Sequence, residues 1–183
     1  MIMELDTVIK ERRSIRKYKV LDVKDEDIEC LINYARLAPS AKNRQPWTFV
    51  VVKNQVKNQI ADIMIKHEKI YHMNQLVINS ANIIKEAPVL ILVLKLKDDD
   101  WNVGDLLSIG AAIEHICLGA VDLNMGSLWI RDIVYTQKEI ADFIGKSDME
   151  LVLAMAIGYP DENPSQRNRK ALTDILQWYE NDE

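Results

Sequence analysis

GDLLSIGAAIEHICLGAVDL, residues 104–123, is the longest helical pattern in the sequence, and the rest of the fold must be arranged around it. Apolar residues occur almost all round the predicted helix, as is usual for a helix that is buried on every side. Five small residues lie within it: Gly110, Ala111, Ala112, Gly119 and Ala120. In a chain of 183 residues, we interpret such a helix as part of a subunit interface.

The segments on either side alternate between strand and helix patterns. Runs rich in β-branched and apolar residues predict four strands, at 47–53, 89–96, 127–134 and 151–159. Apolar residues at helical spacing predict further helices at about 5–12, 25–38, 60–84 (as two segments) and 137–143. Some neighbouring strands are expected to run antiparallel, so the predicted class is α+β, in a single domain of residues 1–183.

Three local features set the expected limits of the elements. Pro39 should end the helix that begins near Asp25, because the residue before a proline resists helical backbone. Thr136 and Glu139 form a capping-box pattern at the start of the last internal helix. The C-terminal stretch LTDILQWYE, residues 172–180, is amphipathic.

Composition and charge argue against several classes of function. The chain is 48% hydrophobic and 28% charged, and its net charge of −5 disfavours a general nucleic-acid binder. The longest apolar run covers only residues 87–94, whereas a membrane helix needs about 20 residues. The N-terminal residues contain no apolar core of signal-peptide length. We therefore expect a cytoplasmic protein that binds neither nucleic acid nor membrane.

The cysteines and histidines do not predict a metal or redox centre. Cys30 and Cys117 each lie within an apolar helical pattern and are interpreted as buried thiols. His67, His72 and His115 have no metal-ligand spacing to one another or to a cysteine. The sequence also contains no G-x-G-x-x-G, no P-loop motif and no apparent Ser-His-Asp or Cys-His set.

Three polar segments remain as candidates for a binding site. RRSIRKYK, residues 12–19, places five cations in eight residues and suits a phosphate, although a solvated surface could look the same. APSAKNRQPW, residues 38–47, carries amides that suit the edge of a flat heterocycle, or forms a plain connecting loop. IGYPDENPSQRNRK, residues 157–170, offers Arg167 and Arg169 as a second phosphate clamp. Together the segments predict a site for a phosphorylated flat cofactor.

The order of these segments resembles the FMN-dependent nitroreductase family. The likeness is carried by ERRSIRKYK, ARLAPSAKNRQPWTFVVV, GAAIEHICLGAVDLNMGSLWI and AIGYPDENPSQRNRKAL, and extends from Leu5 to about Leu172. It implies an α+β fold with a central, mostly antiparallel sheet flanked by helices. It also implies an intertwined homodimer with both active sites at the interface, in which the C-terminal segment, about residues 165–183, reaches toward the partner.

By position, the resemblance implies a set of FMN-binding residues. Arg12, Ser14, Arg167 and Arg169 would hold the phosphate, Arg13 would add backbone or ribityl contacts, and Arg16 would tune the flavin at its pyrimidine edge. The loop contributed by the other subunit would supply Pro39, Ser40, Ala41, Asn43 and Gln45. Leu128, Trp129 and Ile130 would lie along the ring, and Gly158 beside the ribityl chain.

The activity implied by the resemblance is that of an NAD(P)H-dependent FMN oxidoreductase. Hydride would pass from NADH or NADPH to flavin N5 and then to a nitroaromatic, quinone or similar flat electron-poor acceptor by a ping-pong mechanism. No catalytic side chain and no metal is expected. The alternatives are flavin fragmentation, dehalogenation, and a non-catalytic FMN-binding dimer. Glu114 is interpreted as an interface carboxylate, and Arg131 could narrow substrate access.

Overall fold

A four-stranded sheet forms the centre of the computed structural model, which describes residues 3–71 and 75–180. The strands are β1 (Trp47–Lys53), β2 (Val89–Leu96), β3 (Gly126–Ile130) and β4 (Met149–Gly158), in the order β1-β2-β4-β3 across the sheet. Each neighbouring pair is antiparallel, which confirms the predicted α+β class and the antiparallel sheet. His72 lies outside the described residues, as do the first two and last three residues of the chain.

Helices cover both faces of the sheet. They are α1 (Leu5–Glu11), α2 (Asp25–Arg36), α3 (Asn54–Tyr71), α4 (Gln75–Glu86), α5 (Asn102–Asp122) and α6 (Gln137–Phe143). One apolar core lies between the sheet and α3, α4 and α6, and a second lies between the sheet and α2 and α5. The helix that begins at Asp25 ends before Pro39, as predicted.

β2 belongs to both cores, which explains why its first six residues, 89–94, are all apolar. Leu90 and Leu92 pack in the core that contains α3 and α4, whereas Ile91 and Val93 pack in the core that contains α2 and α5. Successive side chains of a strand point to opposite faces, so a central strand covered on both faces shows no polar alternation.

α5 is buried on one side only within the protomer, and the expectation of all-round burial is therefore wrong for the single chain. Ile109, Ile113 and Ile116 are buried against the sheet and α2. On the opposite side Leu107 is 71% exposed, and a Cβ added at Gly110 would meet nothing within 4 Å. The exposed side is nearly as apolar as the buried side, so the sequence alone shows no amphipathic stripe.

By length and composition, α5 could cross a membrane, and it is the one such helix in the described part of the chain. Half of the relevant stretch is buried inside the protein. The core helix of a soluble protein meets the same criterion, so the finding is weak support for a membrane span.

Two expectations around the third strand are wrong. The strand predicted over 127–134 ends at Ile130, because Asp132–Thr136 forms a 3-10 turn that buries Ile133 in the core instead of continuing the sheet. Thr136 does precede α6, but its hydroxyl donates to the Ile133 carbonyl at 2.9 Å rather than capping the helix.

Two further segments are less buried than their sequences suggest. Cys117 is buried as predicted, whereas Cys30 is only partly buried. The amphipathic C-terminal stretch contains one short 3-10 turn, Leu172–Asp174, and all residues from 165 to 180 are exposed. Trp178 is 75% exposed, so the described residues cover little of its side chain.

Candidate functional site

The basic segment that follows α1 is held against the edge of the sheet. Ser14 forms a β-bridge with Ser127, and the amide of Ile15 donates to the Ser127 carbonyl at 3.0 Å. The Ile15 side chain is buried, so its neighbours Ser14 and Arg16 point the other way. Gly126 permits this close approach, because a Cβ there would lie 2.4 Å from Ile15 Cγ1.

Backbone pairing brings the C-terminal basic segment to the same place. The amide of Lys19 donates to the Tyr159 carbonyl at 2.8 Å, and the amide of Asp161 donates to the Lys17 carbonyl at 2.9 Å. The carboxylate of Glu162 accepts hydrogen bonds from two further backbone N–H groups of the first segment. The two basic segments, far apart in sequence, therefore lie side by side.

Together they form one cavity of about 320 Å³, the arginine pocket. It is lined by Arg12, Arg13, Ser14, Arg16, Pro164, Ser165, Gln166, Arg167 and Arg169. The six residues that sequence reasoning assigned to the phosphate and the flavin edge from these two segments are thus brought together. Five guanidinium groups around one cavity are a donor set suited to a phosphate.

The arginines of this pocket differ in how they are held. Arg13 Nη1 donates to the carbonyls of Lys10 at 2.6 Å and Arg12 at 2.9 Å, while Arg13 Nε is buried without a hydrogen-bond partner. Arg16 Nη1 donates to the Ser14 carbonyl at 3.2 Å. Within the described residues, Arg167 and Arg169 make no ion pair, and they remain available to an anion.

Arg12 links the pocket to the middle of α5. Its Nε lies 3.6 Å from Oε1 of Glu114, whose side chain is 43% exposed. Partial burial raises the pKa of Glu114, and the charge of Arg12 acts in the opposite direction. Glu114 therefore serves as a counter-ion of the arginine pocket within the protomer.

The second predicted segment, the amide loop (residues 39–45), is not part of the arginine pocket. It contains the predicted residues Pro39, Ser40, Ala41, Asn43 and Gln45. Its backbone rests on the N-terminal half of α5, where the Ala41 amide donates to Ser108 Oγ at 3.3 Å. Within the loop, the backbone N–H of Gln45 donates to Ser40 Oγ at 3.0 Å.

The remaining predicted residues lie on the sheet. Leu128 and Ile130 are buried on β3, whereas Trp129 is 44% exposed and its Nε1 donates to Cys117 Sγ at 2.9 Å. Gly158 ends β4 but does not open into the arginine pocket. A Cβ there would lie 2.5 Å from Pro88 Cδ, so this glycine permits close packing inside the fold.

Glu162 and residues 164–166 lie within the third polar segment but were assigned no role from the sequence, and Asp105 was not singled out. Glu162 sits among other polar residues, and nothing in its spacing relates it to backbone N–H groups more than 140 positions earlier. Asp105 lies at the start of an apolar helix and resembles an ordinary acidic residue of a first helical turn.

The sequence is similar to known proteins over most of its length. The model of the Nitroreductase family matches residues 9–159. A protein of Archaeoglobus fulgidus named as an NADH dehydrogenase/NAD(P)H nitroreductase is 32% identical over 162 residues, which cover 85% of this chain and 84% of that protein. An iodotyrosine deiodinase of Hydra vulgaris is 30% identical in an alignment 198 positions long, gaps included, which covers 90% of this chain and 69% of that protein.

The fold is also similar to that of a solved structure. A protein from Desulfovibrio desulfuricans, described as a nitroreductase in complex with FMN, superposes with a TM-score of 0.79 at 25% identity and covers 98% of both chains. The family match spans most of the sequence, includes the first basic segment and ends before Arg167 and Arg169. The chain belongs to the nitroreductase family.

Proposed function

We propose that this chain is a homodimeric FMN-dependent oxidoreductase that passes hydride from NADH or NADPH to a flat, electron-poor acceptor such as a nitroaromatic or a quinone. Membership of the nitroreductase family supports a flavin oxidoreductase. The single observation that carries the proposal is the arginine pocket, in which five arginines and Ser14 surround one cavity.

The residues of this pocket fit a flavin phosphate. Guanidinium groups donate charge-assisted hydrogen bonds to phosphate oxygens, and these bonds are about twice as strong as those between neutral groups. Arg167 and Arg169 have no carboxylate partner among the described residues, and Arg13 Nε is buried without an acceptor. Among the described residues Glu114 is paired with Arg12 alone, so in a chain with net charge −5 the five arginines of one cavity are best explained by an anionic ligand.

The position of the amide loop supports a site shared between two subunits. The loop contacts α5 near Asp105, whereas Arg12 contacts the same helix at Glu114, nine residues further on. At 1.5 Å per residue these points are about 14 Å apart along the helix. The amide loop of a second subunit, packed on the exposed side of α5, is therefore the better candidate to complete the arginine pocket.

The proposed mechanism uses the chain mainly for binding and orientation. Bound FMN supplies the hydride chemistry at its ring. The arginine pocket anchors the phosphate, and the Asn43 and Gln45 amides offer donors and acceptors to the edge of the ring. Arg16, which lines the same pocket, adds positive charge that favours the anionic reduced form of the ring.

The first test is an absorption spectrum of the purified protein, followed by anaerobic titration with NADH and NADPH. We expect a bound-flavin spectrum that bleaches with at least one nucleotide and recovers when a quinone is added. Flavin that binds but never bleaches would contradict turnover with NAD(P)H. Protein that is colourless and does not bind added FMN would contradict the whole proposal.

A second candidate, reductive dehalogenation, is favoured by the likeness to an iodotyrosine deiodinase. In that reaction two electrons and a proton replace a carbon–iodine bond by a carbon–hydrogen bond, and iodide leaves. We would measure iodide release from iodotyrosine by the chemically reduced protein. Release that depends on bound flavin would select this candidate, whereas reduction of nitroaromatics without iodide release would select the first.

A further inference from the structure

Arg44 lies in the middle of the amide loop, yet its side chain is bound to the rest of the fold. Its Nε lies 3.1 Å from Asp105 Oδ1 and its Nη2 lies 3.3 Å from Asp105 Oδ2. The same Nη2 also donates to Asp98 Oδ2 at 2.8 Å. Nε and Nη2 of Arg44 are therefore engaged by two carboxylates of the fold, which gives Arg44 a different role from Asn43 and Gln45 beside it.

Asp105 makes this attachment firm. Its side chain is only 2% exposed, and a buried carboxylate needs a charged partner to compensate for lost hydration. In the described part of the chain, Arg44 is the ion-pair partner of Asp105. If Arg44 moved into solvent, Asp105 would remain buried and unpaired, which strongly disfavours the movement.

Trp101 supports the same arrangement from the start of α5. The Arg44 Cζ lies 4.6 Å from the centroid of the indole ring, and Lys42 Nζ lies 4.9 Å from the same centroid. Both distances are within the range of cation–π attraction. Two cations of the loop are thus attached to a single aromatic side chain of the scaffold.

The loop backbone needs such external support. Lys42, Asn43 and Gln45 have φ values of 50°, 56° and 48°, which lie in the left-handed region. Non-glycine residues remain in that region only where their surroundings hold them. The loop residues are largely exposed, so packing of their own side chains contributes little.

We propose that Arg44, held by Asp105, is the positioning residue of the amide loop. It sits between Asn43 and Gln45 in sequence and fixes the backbone that aims their amides. Disturbing this pair should therefore change how the loop engages the flavin ring without removing any group that touches it. This last step rests on the proposed function, whereas the effect on the loop itself does not.

The first experiment measures the loop without flavin. Hydrogen exchange of flavin-free Asp105→Asn should be about tenfold faster than wild type at the amides of residues 43–45, and unchanged in β2. Asp25→Asn is the matched control, because Asp25 is also an ion-paired aspartate in the first turn of a helix. Equal exchange in wild type and Asp105→Asn would overturn the proposal, and so would equal acceleration in both variants.

The second experiment measures the loaded protein. Asp105→Asn should weaken FMN binding about tenfold, which corresponds to about 1.4 kcal/mol, and shift the flavin reduction potential. Arg44→Lys keeps the charge but not the fork and should give an intermediate effect, which also tests the pair if Asp105→Asn folds poorly. An unchanged potential in both variants would overturn the positioning role. Wild type that binds no FMN would contradict the proposed function alone, because the exchange result still decides the role of Arg44.

Discussion

Single side chains of the arginine pocket differ in how strongly the fold depends on them. Arg12 faces Glu114, and Arg13 binds carbonyls at the end of α1, so replacing either would disturb the protein as well as a ligand. Arg167 and Arg169 lie in the exposed C-terminal segment and make no ion pair with the described residues. Substitution of these two residues should therefore affect anion binding without changing the stability of the fold.

The double variant Arg167→Ala/Arg169→Ala should lose FMN while keeping its stability. Each charge-assisted hydrogen bond to a phosphate contributes roughly 1.5–3 kcal/mol, so the Kd for FMN should rise at least about 100-fold. Fluorescence titration with FMN and thermal unfolding of the flavin-free protein measure the two quantities. Lys170→Ala is the control, because Lys170 is an exposed cation next to Arg169 that does not line the pocket. A double variant that purifies with full flavin would contradict the phosphate assignment.

At the scale of elements, one glycine determines how closely α2 and α5 pack. A Cβ at Gly119 would lie 2.4 Å from Tyr34 Cδ2 and 3.0 Å from Leu31 Cδ2. Gly119→Ala should lower the free energy of unfolding by about 1–2 kcal/mol, since overpacking outweighs the gain of alanine in a helix. Urea unfolding measures the change. In a Tyr34→Leu background the same substitution should be less harmful, and equal losses in both backgrounds would show that the Tyr34 contact is not the cause.

The end of α4 depends on a buried lysine from α3. Lys57 Nζ donates to the carbonyls of Ile84 at 2.6 Å and Lys85 at 2.8 Å, in the last turn of α4. Burial, and secondly the charge of Lys85, lowers the pKa of Lys57 from 10.5 to about 8. In the unfolded chain the pKa returns to its ordinary value, so between about pH 8 and 10.5 the unfolded state binds more protons than the folded state.

Stability from this residue should therefore rise with pH across that window. We expect the free energy of unfolding of wild type, relative to Lys57→Met, to increase between pH 8 and pH 10. Urea unfolding at several pH values provides the measurement. Lys66→Met, at an exposed position of the same helix, is the control, and its free energy of unfolding should change with pH as that of wild type does. If the free energy of unfolding of Lys57→Met changed with pH as that of wild type does, the pKa of Lys57 would be the same in the folded and unfolded states.

Local sequence patterns predicted the helices and strands better than they predicted which segments lie next to each other in the fold. The pattern VLILVLKL at 89–96 predicted the bounds of β2 correctly, because residues 89–94, which are buried on both faces, give a continuous apolar signal. The polar pattern of residues 12–19 predicted an anion site, yet only backbone pairing of residues 17–19 with 159–161 places Arg167 beside it. Ile133 misled the strand prediction because an apolar β-branched residue fits a buried 3-10 turn as well as a strand.

At the scale of the whole molecule, the described residues include exposed apolar side chains at two places that bear on assembly. One is the outer side of α5, where Val103 is 72% exposed and Leu107 is 71% exposed. The other is the C-terminal segment, where Trp178 is 75% exposed and Tyr179 is 90% exposed. Val103 and Leu107 lie one turn apart on α5, and exposed apolar side chains grouped in this way are typical of a protein–protein interface. A second copy of the chain, as proposed, would cover both.

If the second copy also supplies the amide loop, then a variant that cannot form the dimer should not bind flavin either. Leu107→Glu places a charge on the exposed side of α5 without touching the protomer core, so the folded protomer should persist. We expect sedimentation velocity to show a monomer and the absorption spectrum to show loss of flavin, because the amide loop would come from the second subunit. Val56→Glu, on the exposed side of α3, should remain dimeric and yellow. A Leu107→Glu monomer that keeps full flavin would place the complete site within one chain and contradict the shared arrangement.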